Sequence, residues 1–487
     1  MRKLVWLLLI IAVLVGSMLL VANVHASTPV SGIITSNTTW TEANSPYILT
    51  GSVTVNPGVT LTIEPGVTVD LASYSIMVGG TLNASGTSDN KIIFQTSYSY
   101  SNIRVQFLST SMSWNPTAGS GCIVDNTIFN SVSISVSGCS PKISNNYFTN
   151  NQYTSITVAG GSPLIVNNTF DTRGTCIATN NGYSGSPTIS GNFIKCSVTG
   201  SFGIGCGNNV YVSDNNITGC YTGIYAIGNA TITRNLITAN TYGMMTTVST
   251  ATVENNTFSN NSFAISGGGT IRNNTFGNNQ IGLTESIANS TVTQNNFFGN
   301  TQYNLRLSLT TAVDATYNWW GNTDASAINQ TIYDNKNNAL IGTVNFAPFL
   351  NGSNPQAPAL ESINYVPVPT PTPYPTTVPA PTVTPYPTTH PTLITNFTII
   401  TPTPSPLPTA PPTAIPTPTP LPTPSPTPKI MPGSPLTLGG STFAELISQL
   451  DIVGLAKLVL IALGIMWIVI ILVSVDRKFG RKTSEKQ

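Results

Sequence analysis

Acid–base chemistry in this sequence depends on a few scattered carboxylates. A glycosidase needs two carboxyl groups roughly 5 to 9.5 Å apart. Asp125 and Asp214 take the same position in a sequence repeat but lie four repeats apart. In a stacked fold that is roughly 19 Å, so we do not expect the two carboxylates to act together in catalysis. The carboxylates of the central region are Asp125, Asp171, Asp214, Glu254, Glu285 and Asp314.

Asp171 and Arg173 form a second candidate pair, because they are close in sequence. No other acid falls near them in the repeat before Asp214, two repeats further on. We expect a surface ion pair here. The alternative is the remnant of a lyase site.

Histidine is missing from the repeat region, since the only two are His25 and His390. This removes His-based acid–base catalysis and the usual copper and zinc ligands. We therefore predict no catalytic, cofactor-binding or metal-binding residue, and no cofactor. Enzymatic activity stays open, with a non-catalytic protein favoured.

The six cysteines are candidates for disulfide bonds, because the sequence has the marks of an exported protein. Cys196 and Cys220 fall four and five residues after repeated asparagines, which places them in adjacent coils at a spacing that a bridge accepts. We favour this pair. The alternative for the others is a reduced, buried thiol. Two further pairings are weaker expectations: Cys122 with Cys139, and Cys176 with Cys206.

A short phrase that recurs from Ile123 to Trp320 must position these residues. It consists of an aliphatic residue, two polar residues, Asn, a spacer and an apolar residue, as in IVDNTI at 123–128 and IVNNTF at 165–170. The period of 18 to 24 residues is too short for two-helix repeats. The aligned asparagines are Asn126, Asn146, Asn168, Asn192, Asn215, Asn235, Asn256, Asn274, Asn295 and Asn318.

A second apolar position supports the same register. Roughly nine residues after the Asn, a small residue precedes an aliphatic one, as in Gly223-Ile224 and Gly282-Leu283. Two short apolar segments per repeat, without a dense Leu pattern, predict a parallel β-helix. Inward Ile, Val and Phe would stack about 4.8 Å apart. An Asn at the same turn of every coil can adopt a left-handed conformation and pass amide hydrogen bonds along the stack, so we predict a structural Asn ladder.

The N-terminal part of the repeat region has the same character, with Val, Thr, Leu and Ile alternating between turns at Pro57-Gly58 and Pro65-Gly66. From the entry motif Thr39-Trp40-Thr41, through the Asn coils, to the closing YNWWGN at 317–322, the sequence resembles secreted right-handed β-helix surface proteins of archaea and bacteria, related to pectin-lyase-like and NosD-like β-helices with the PbH1 repeat. The resemblance spans roughly 31–350.

That resemblance implies an all-β, right-handed parallel β-helix solenoid, but it does not select an activity. Lyases, hydrolases, metal-delivery proteins and adhesins resemble one another at this level. Lyases of this fold pair acidic calcium ligands with a Lys or Arg base, and the missing histidines weaken a NosD-like copper role. Trp40 and Tyr47 are expected to cap the first coil. The residues expected to cap the last one are Trp319, Trp320, Phe346 and Phe349. The alternative for Trp319-Trp320 is a sugar-stacking platform.

The flanking segments predict a surface protein anchored in a membrane. Residues 1–26 have the parts of a secretory signal peptide. Residues 354–440 are rich in Pro, Thr and Ser and predict a disordered, extended stalk. The whole division is 1–26 signal, 27–100 N-terminal cap and first coils, 101–316 repeats, 317–353 last coil and cap, 354–440 stalk, 441–451 juxtamembrane segment, 452–475 transmembrane helix and 476–487 basic cytoplasmic tail.

Polar, uncharged residues must supply the solubility, because only 7% of the residues are charged. A net charge of +1 without a basic stripe excludes nucleic acid as a partner. Surface glycans or neighbouring cell-envelope proteins are the partners expected. The sequons outside the repeat phrase are the N-glycosylation candidates: Asn37, Asn83, Asn229, Asn289, Asn329, Asn351 and Asn396.

The sequence therefore favours a single-pass membrane-anchored protein with an extracellular β-helix and a cytoplasmic C-terminus, acting in adhesion or glycan binding. An archaeal envelope is the context that the resemblance implies. One alternative is a surface-displayed polysaccharide lyase or glycoside hydrolase. Another is a structural, S-layer-like envelope component.

Overall fold

The described chain is wound into about 13 coils of a right-handed parallel β-helix. The computed structural model describes residues 27–96, 103–180, 182, 184–197 and 200–360. A typical coil contributes one short strand to each of three columns, and each strand pairs in parallel with its equivalents in the neighbouring coils. The prediction of an all-β parallel β-helix is confirmed.

The strands of each column follow one another by one coil. The first column is a sheet of 12 strands: Thr38–Trp40, Thr60–Ile63, Thr81–Ser85, Ile123–Asp125, Lys142–Ser144, Leu164–Val166, Thr188–Ser190, Tyr211–Ser213, Thr231–Thr233, Thr252–Glu254, Thr270–Arg272 and Thr291–Thr293. The second and third columns join into a 25-stranded sheet through two longer strands, Thr28–Ile34 and Tyr47–Val55.

Beyond those shared strands the two columns separate. The second column contains Thr68–Asp70, Ile92–Gln95, Thr127–Asn130, Tyr147–Thr149, Thr169–Thr172, Phe193–Cys196, Asn216–Thr218, Leu236–Thr238, Thr257–Ser259, Thr275–Gly277 and Asn296–Phe298. The third column contains Ile76–Val78, Arg104–Phe107, Ser133–Val136, Ile156–Val158, Ile177–Thr179, Phe202–Cys206, Thr222–Ala226, Tyr242–Thr246, Phe263–Gly267, Ile281–Glu285, Tyr303–Leu307 and Ile332–Tyr333. The remaining elements are the strand pair Val313–Asp314 and Val344–Asn345, the 3-10 helix Glu42–Asn44 and the α-helix Ala325–Gln330.

The core consists of side-chain stacks along the axis. Because the coils repeat about every 4.8 Å, equivalent inward side chains meet at van der Waals distance, and each buried Phe contributes about 1.5–3 kcal/mol. Neighbouring Phe rings of the second column have centroids 4.7–5.3 Å apart. This stack is formed by Phe94, Phe129, Phe148, Phe170, Ile194, Ile217, Ile237, Phe258, Phe276 and Phe297.

The second apolar position of the repeat lies in the third column. Ile224, Met244, Ile265 and Leu283 are fully buried and pair in register from coil to coil. The residues before them are small because a larger side chain would clash with the next coil. A Cβ at Gly223 would lie 2.6 Å from a backbone oxygen of that coil. The sequence pattern therefore marks the inward face of this column.

Buried aromatic residues lie at both ends of the core. Trp40 is 3% exposed and stacks on Tyr47 with ring centroids 4.8 Å apart. At the other end, Trp320 is 2% exposed and stacks on Phe297 at 4.9 Å. Trp320 therefore extends the core stack and does not offer a ring to a sugar, while Trp319 is half-buried.

Several predicted segments lie outside the described residues. These are the signal peptide 1–26, almost all of the stalk 354–440, the juxtamembrane segment 441–451, the transmembrane helix 452–475, the tail 476–487 and the sequon Asn396. In the part of the chain that the structure does describe, no helix has the length and apolar character needed to cross a bilayer.

Candidate functional site

Nine of the ten predicted asparagines form a buried ladder at the turn between the first and second columns. In the eight from Asn168 onward, Oδ1 accepts hydrogen bonds from the backbone N–H and the Nδ2 of the asparagine one coil earlier, at 2.8–3.1 Å. Their side-chain amides are engaged in hydrogen bonds within the fold. The members are Asn146, Asn168, Asn192, Asn215, Asn235, Asn256, Asn274, Asn295 and Asn318.

Asn126, the tenth predicted member, lies one residue before the ladder position. Thr127 takes that position, and its N–H donates to Asn146 Oδ1 at 3.0 Å. Asn126 instead has a left-handed backbone with φ 48°, as Asn145 does in the next coil with φ 55°. The left-handed conformation predicted for the ladder residues thus belongs to the residue before them. In an Asn-Asn pair such as Asn145-Asn146, the first residue makes the turn and the second makes the ladder.

A second Asn ladder, which the sequence reasoning missed, lies between the second and third columns. Asn240, Asn261, Asn279 and Asn300 repeat the same pattern, with N–H and Nδ2 donating to the next Oδ1 at 3.0–3.1 Å. The signal was present, because each follows a first-ladder Asn by five residues, as in NLITAN at 235–240.

A disulfide joins Cys196 to Cys220. Cys220 occupies the second-ladder position one coil before Asn240, and its N–H donates to Asn240 Oδ1 at 2.9 Å. The bond therefore ties two coils together where that ladder begins.

The other two cysteine pairings are absent, and Cys122, Cys139, Cys176 and Cys206 are buried free thiols. Ile177 pairs with Ile204, so Cys176 and Cys206 are offset by three residues along their strands. That offset is about 10 Å, beyond the reach of a disulfide. Burial raises the pKa of Cys122 to about 11 and those of the other three thiols to about 12.

Each of the central carboxylates has a local structural partner. Asp214 is paired with Arg234 at 2.7 Å and Glu254 with Arg272 at 2.7 Å. Asp125 and Asp214 do not share a coil position as predicted, because Asp125 ends a strand whereas Asp214 is the left-handed turn residue after one. No hydrogen bond joins two carboxylates among the described residues. Asp125 accepts from Asn126, Ser144 and Asn145, and Asp314 accepts from the N–H of Thr316.

The predicted ion pair between Asp171 and Arg173 is not formed. Asp171 points out from the second column and accepts a hydrogen bond from Ser197 at 2.6 Å. Arg173 lies beyond the strand end and lines a groove over the third column. The two residues fall on different faces of the coil, because the chain turns between them.

The outer surface of the third column carries a run of aromatic rings, called here the aromatic face and defined by Phe202, Tyr221, Tyr225, Tyr242 and Phe263. Tyr242 stacks on Phe263 with centroids 4.9 Å apart and meets Tyr221 edge-on at 5.5 Å. Phe202 stacks on Tyr225 at 5.2 Å. Tyr221 is 41% exposed and the other four are half-buried, so these two groups of rings are partly exposed on four consecutive coils.

A polar groove of 470 Å³ extends the same column toward the N-terminus. Arg104 and Arg173 bring positive charge to it, and Tyr153, which is 52% exposed, brings another ring. No acidic residue is among its lining residues in the described chain. The remaining lining is mostly hydroxyl and amide groups: Ser133, Ser135, Gln152, Thr154, Thr157, Thr175 and Ser201.

Sequence reasoning missed the aromatic face because its members are scattered. They stand three or two residues before an inward aliphatic residue, or one residue after it, as Tyr221 and Tyr225 do around Ile224. Recording the outward positions of each repeat, and not only the inward ones, would have revealed them.

Four of the predicted N-glycosylation sites are exposed: Asn37, Asn229, Asn289 and Asn351. Asn83 and Asn329 are half-buried. Their modification stays a prediction.

Two comparisons with known proteins found similarities to this chain. Residues 184–338 match a family model described as periplasmic copper-binding protein (NosD). Over these residues, the right-handed parallel β-helix is similar to the NosD family. Among solved structures, a crystal structure of pectate lyase Pel9A is similar at 14% identity, with a TM-score of 0.27, over 63% of this chain and 74% of that one. No curated protein matches the sequence.

Proposed function

We propose that this NosD-like β-helix is an exported glycan-binding protein whose binding surface is the aromatic face with the adjoining arginine groove. The observation that carries the proposal is the stack of partly exposed rings on consecutive coils. The C–H groups of sugars pack on the exposed parts of aromatic side chains, and sugar hydroxyls need hydrogen-bond partners nearby. Exposed aromatic strips of this kind mark binding surfaces.

The hydrogen-bond partners are supplied by the arginine groove. Hydroxyl groups and Gln152 line it, and Arg104 and Arg173 add cationic donors suited to sugar hydroxyls or carboxylates. A solenoid also offers an extended surface, which fits a polymer better than a small metabolite. We propose further that the protein adheres to a glycan-bearing surface and that residues 452–475 anchor it in a membrane.

The copper named in the family description fits this chain poorly. No histidine lies between residues 27 and 360. The free thiols are buried and their pKa values are raised, so they stay protonated at neutral pH. Within the described ranges, no group of three or more His, Cys, Asp and Glu is arranged to hold a metal. The residues present therefore do not fit a copper site.

A lyase or hydrolase role has less support than binding. Both need a carboxylate with a second acid or a base in one groove. Asp214 and Glu254 are instead held by arginines one coil away, and the arginine groove has no lining carboxylate in the described chain.

Glycan binding is tested with the full chain and an array of polysaccharides. Replacing Tyr242 and Phe263 together by Ala should weaken binding to any glycan that the parent recognises by about tenfold or more, because two of the stacked rings are lost.

The matched control is Tyr74→Ala, which removes a 36% exposed tyrosine from a loop outside the aromatic face. It should leave the affinity unchanged. Equal affinity of Tyr242→Ala/Phe263→Ala and the parent, or no glycan bound by the parent, would refute the proposal.

A further inference from the structure

The C-terminal end of the third column carries an aromatic pair that is not part of the aromatic face. Tyr303 and Tyr333 lie on consecutive coils, with ring centroids 5.3 Å apart and ring planes tilted by 60°. Arg306 pairs in register with Tyr333, and its guanidinium carbon lies 5.7 Å from the centre of that ring. The two rings are half-buried and Arg306 is exposed. These three residues are called here the terminal cluster.

The terminal cluster resembles the first ring pair of the aromatic face, with one difference. Phe202 and Tyr225 also lie on consecutive coils, with ring centroids 5.2 Å apart. Gly205 is level with Tyr225 in the preceding coil, whereas Arg306 is level with Tyr333. One ring pair therefore has a cation beside it, and the other has no side chain at that position.

The positive charge of Arg306 is not neutralised by a carboxylate. Among the described residues, no hydrogen bond or ion pair joins its guanidinium to an acid. Asp334, which follows the second ring of the cluster, is buried and paired with Lys336 at 2.9 Å. Arg234 and Arg272, by contrast, each bind an acid one coil away. The guanidinium of Arg306 is thus available to an anion from outside the chain.

Thr284 supplies an unfilled polar group next to this cation. It is level with Arg306 in the preceding coil and is 9% exposed. Its Oγ1 has no hydrogen-bond partner in the part of the chain that the structure describes. Buried hydroxyls nearly always have a partner, so this one points to an atom that the chain itself does not supply. Because neighbouring coils are about 5 Å apart, a group with several oxygens can approach both the guanidinium and the hydroxyl.

We propose that the terminal cluster is a subsite for an anionic sugar unit, one that carries a carboxylate or a sulfate. The proposal rests on glycan binding at the aromatic face. Tyr303 is in the same outward row as Phe263, two coil steps or about 10 Å further along the axis. A glycan that lies along the axis on the aromatic face therefore reaches the terminal cluster.

The two kinds of side chain divide the recognition of such a unit. The exposed parts of the Tyr303 and Tyr333 rings contact its C–H groups, and Arg306 donates hydrogen bonds to its charged oxygens. A neutral sugar gains the first contact without the second. The protein should therefore prefer glycans with acidic units over neutral glycans of the same backbone.

Matched polysaccharides test this preference in the full chain. The probes are dextran and cello-oligosaccharides, each in neutral, carboxymethylated and sulfated form. The parent should bind one of the charged forms roughly five- to tenfold more tightly than the neutral form, because a hydrogen bond to a charged group is added. The tighter of the two charged forms identifies the anion as carboxylate or sulfate.

Variants of Arg306 assign the preference to the terminal cluster. Arg306→Gln should lower the affinity for the charged form to that for the neutral form. Arg306→Lys should keep part of the difference, because it keeps the charge but not the planar fork of donors. An unchanged unfolding temperature of both variants would show that the fold is intact.

Two further variants separate this subsite from other positive charges. Lys195→Gln removes an exposed cation from the outer surface of the second column and should leave the preference unchanged. Arg173→Gln removes a cation from the arginine groove and should also leave the preference in place.

The proposal would be overturned if the parent showed no preference for a charged form, or if Arg306→Gln kept it. Loss of the preference in Lys195→Gln would overturn it as well, since net charge would then be the cause. In each case the aromatic face would still stand if Tyr242→Ala/Phe263→Ala weakened the binding of neutral and charged forms alike. A parent that binds none of the probes would refute both proposals.

Discussion

Glu285 shows how a single residue departs from what its type suggests. Its side chain is fully buried, at an inward position of the third column where the preceding coil has Gly267. Oε1 accepts hydrogen bonds from Ile287 N and Ser290 Oγ, while Oε2 has no hydrogen-bond partner in the described chain. Burial raises its pKa to about 7. It belongs to the core, and not to a catalytic groove.

Glu285→Gln should therefore change how stability depends on pH. A carboxyl with a raised folded-state pKa stabilises the fold fully below about pH 4.5, and this contribution is lost as the pH rises to about 7. At pH 8 the variant should be more stable than the parent by up to about 3 kcal/mol. Near pH 4.5 the two should be almost equal.

Chemical unfolding at both pH values measures this difference. Asp314→Asn is a suitable control, because Asp314 is exposed and only caps a nearby N–H. A Glu285→Gln effect of the same size at both pH values would contradict the assignment of a neutral buried acid.

At the scale of the element, the turn between the first and second columns is a two-residue unit with divided tasks. Asn145 is exposed and supplies the left-handed backbone, and Asn146 is 2% exposed and supplies the ladder amide. Asn146 links three coils, since it accepts from the Thr127 N–H and donates to the Val124 carbonyl and to Asn168 Oδ1.

Replacing the two asparagines in turn should give very different costs. Asn146→Ala leaves a buried N–H and a buried carbonyl without partners, so we expect a loss of about 2–4 kcal/mol. Asn145→Gly keeps the positive φ without strain and should change stability by less than about 1 kcal/mol. Guanidinium unfolding of the two variants measures the difference, and a larger loss for Asn145→Gly would contradict this division.

The turns also explain which parts of an element the sequence can reveal. The inward apolar residues recur in nearly every coil, because each must match the coils on both sides. The two residues of an Asn-Asn turn have the same side chain in different roles. Residue type alone therefore cannot show that Asn126 is a turn residue and Asn146 a ladder residue. Only strand pairing, which sets Thr127 level with Asn146, decides the register.

At the scale of the whole molecule, the coil spacing gives the aromatic face, which we propose as the glycan-binding surface, a fixed length. From Phe202 to Phe263 the aromatic face crosses three coil steps, about 14 Å along the axis. A linear glycan lying along the axis can use all of these rings together.

The affinity for an oligosaccharide should therefore rise with its length until the ligand covers the aromatic face, and then level off. Calorimetric titration of an oligomer series of the glycan that the full chain binds would measure this. The Tyr242→Ala/Phe263→Ala variant should show a flatter length dependence, because its remaining rings span only one coil step. Affinity that does not change with length would indicate a single-sugar site.

The sequence by itself determined the fold class, the repeated inward positions and the favoured cysteine pair. It could do so because stacking imposes one local requirement on every coil, and that requirement leaves a periodic trace. The structure decided the features that depend on neighbours from other coils: the burial of Glu285, the separation of Asp171 from Arg173, and the one-residue offset of Asn126 from the ladder position. These depend on which side of a coil each residue faces and on what lies 4.8 Å above and below it, and neither is encoded by spacing along the chain alone.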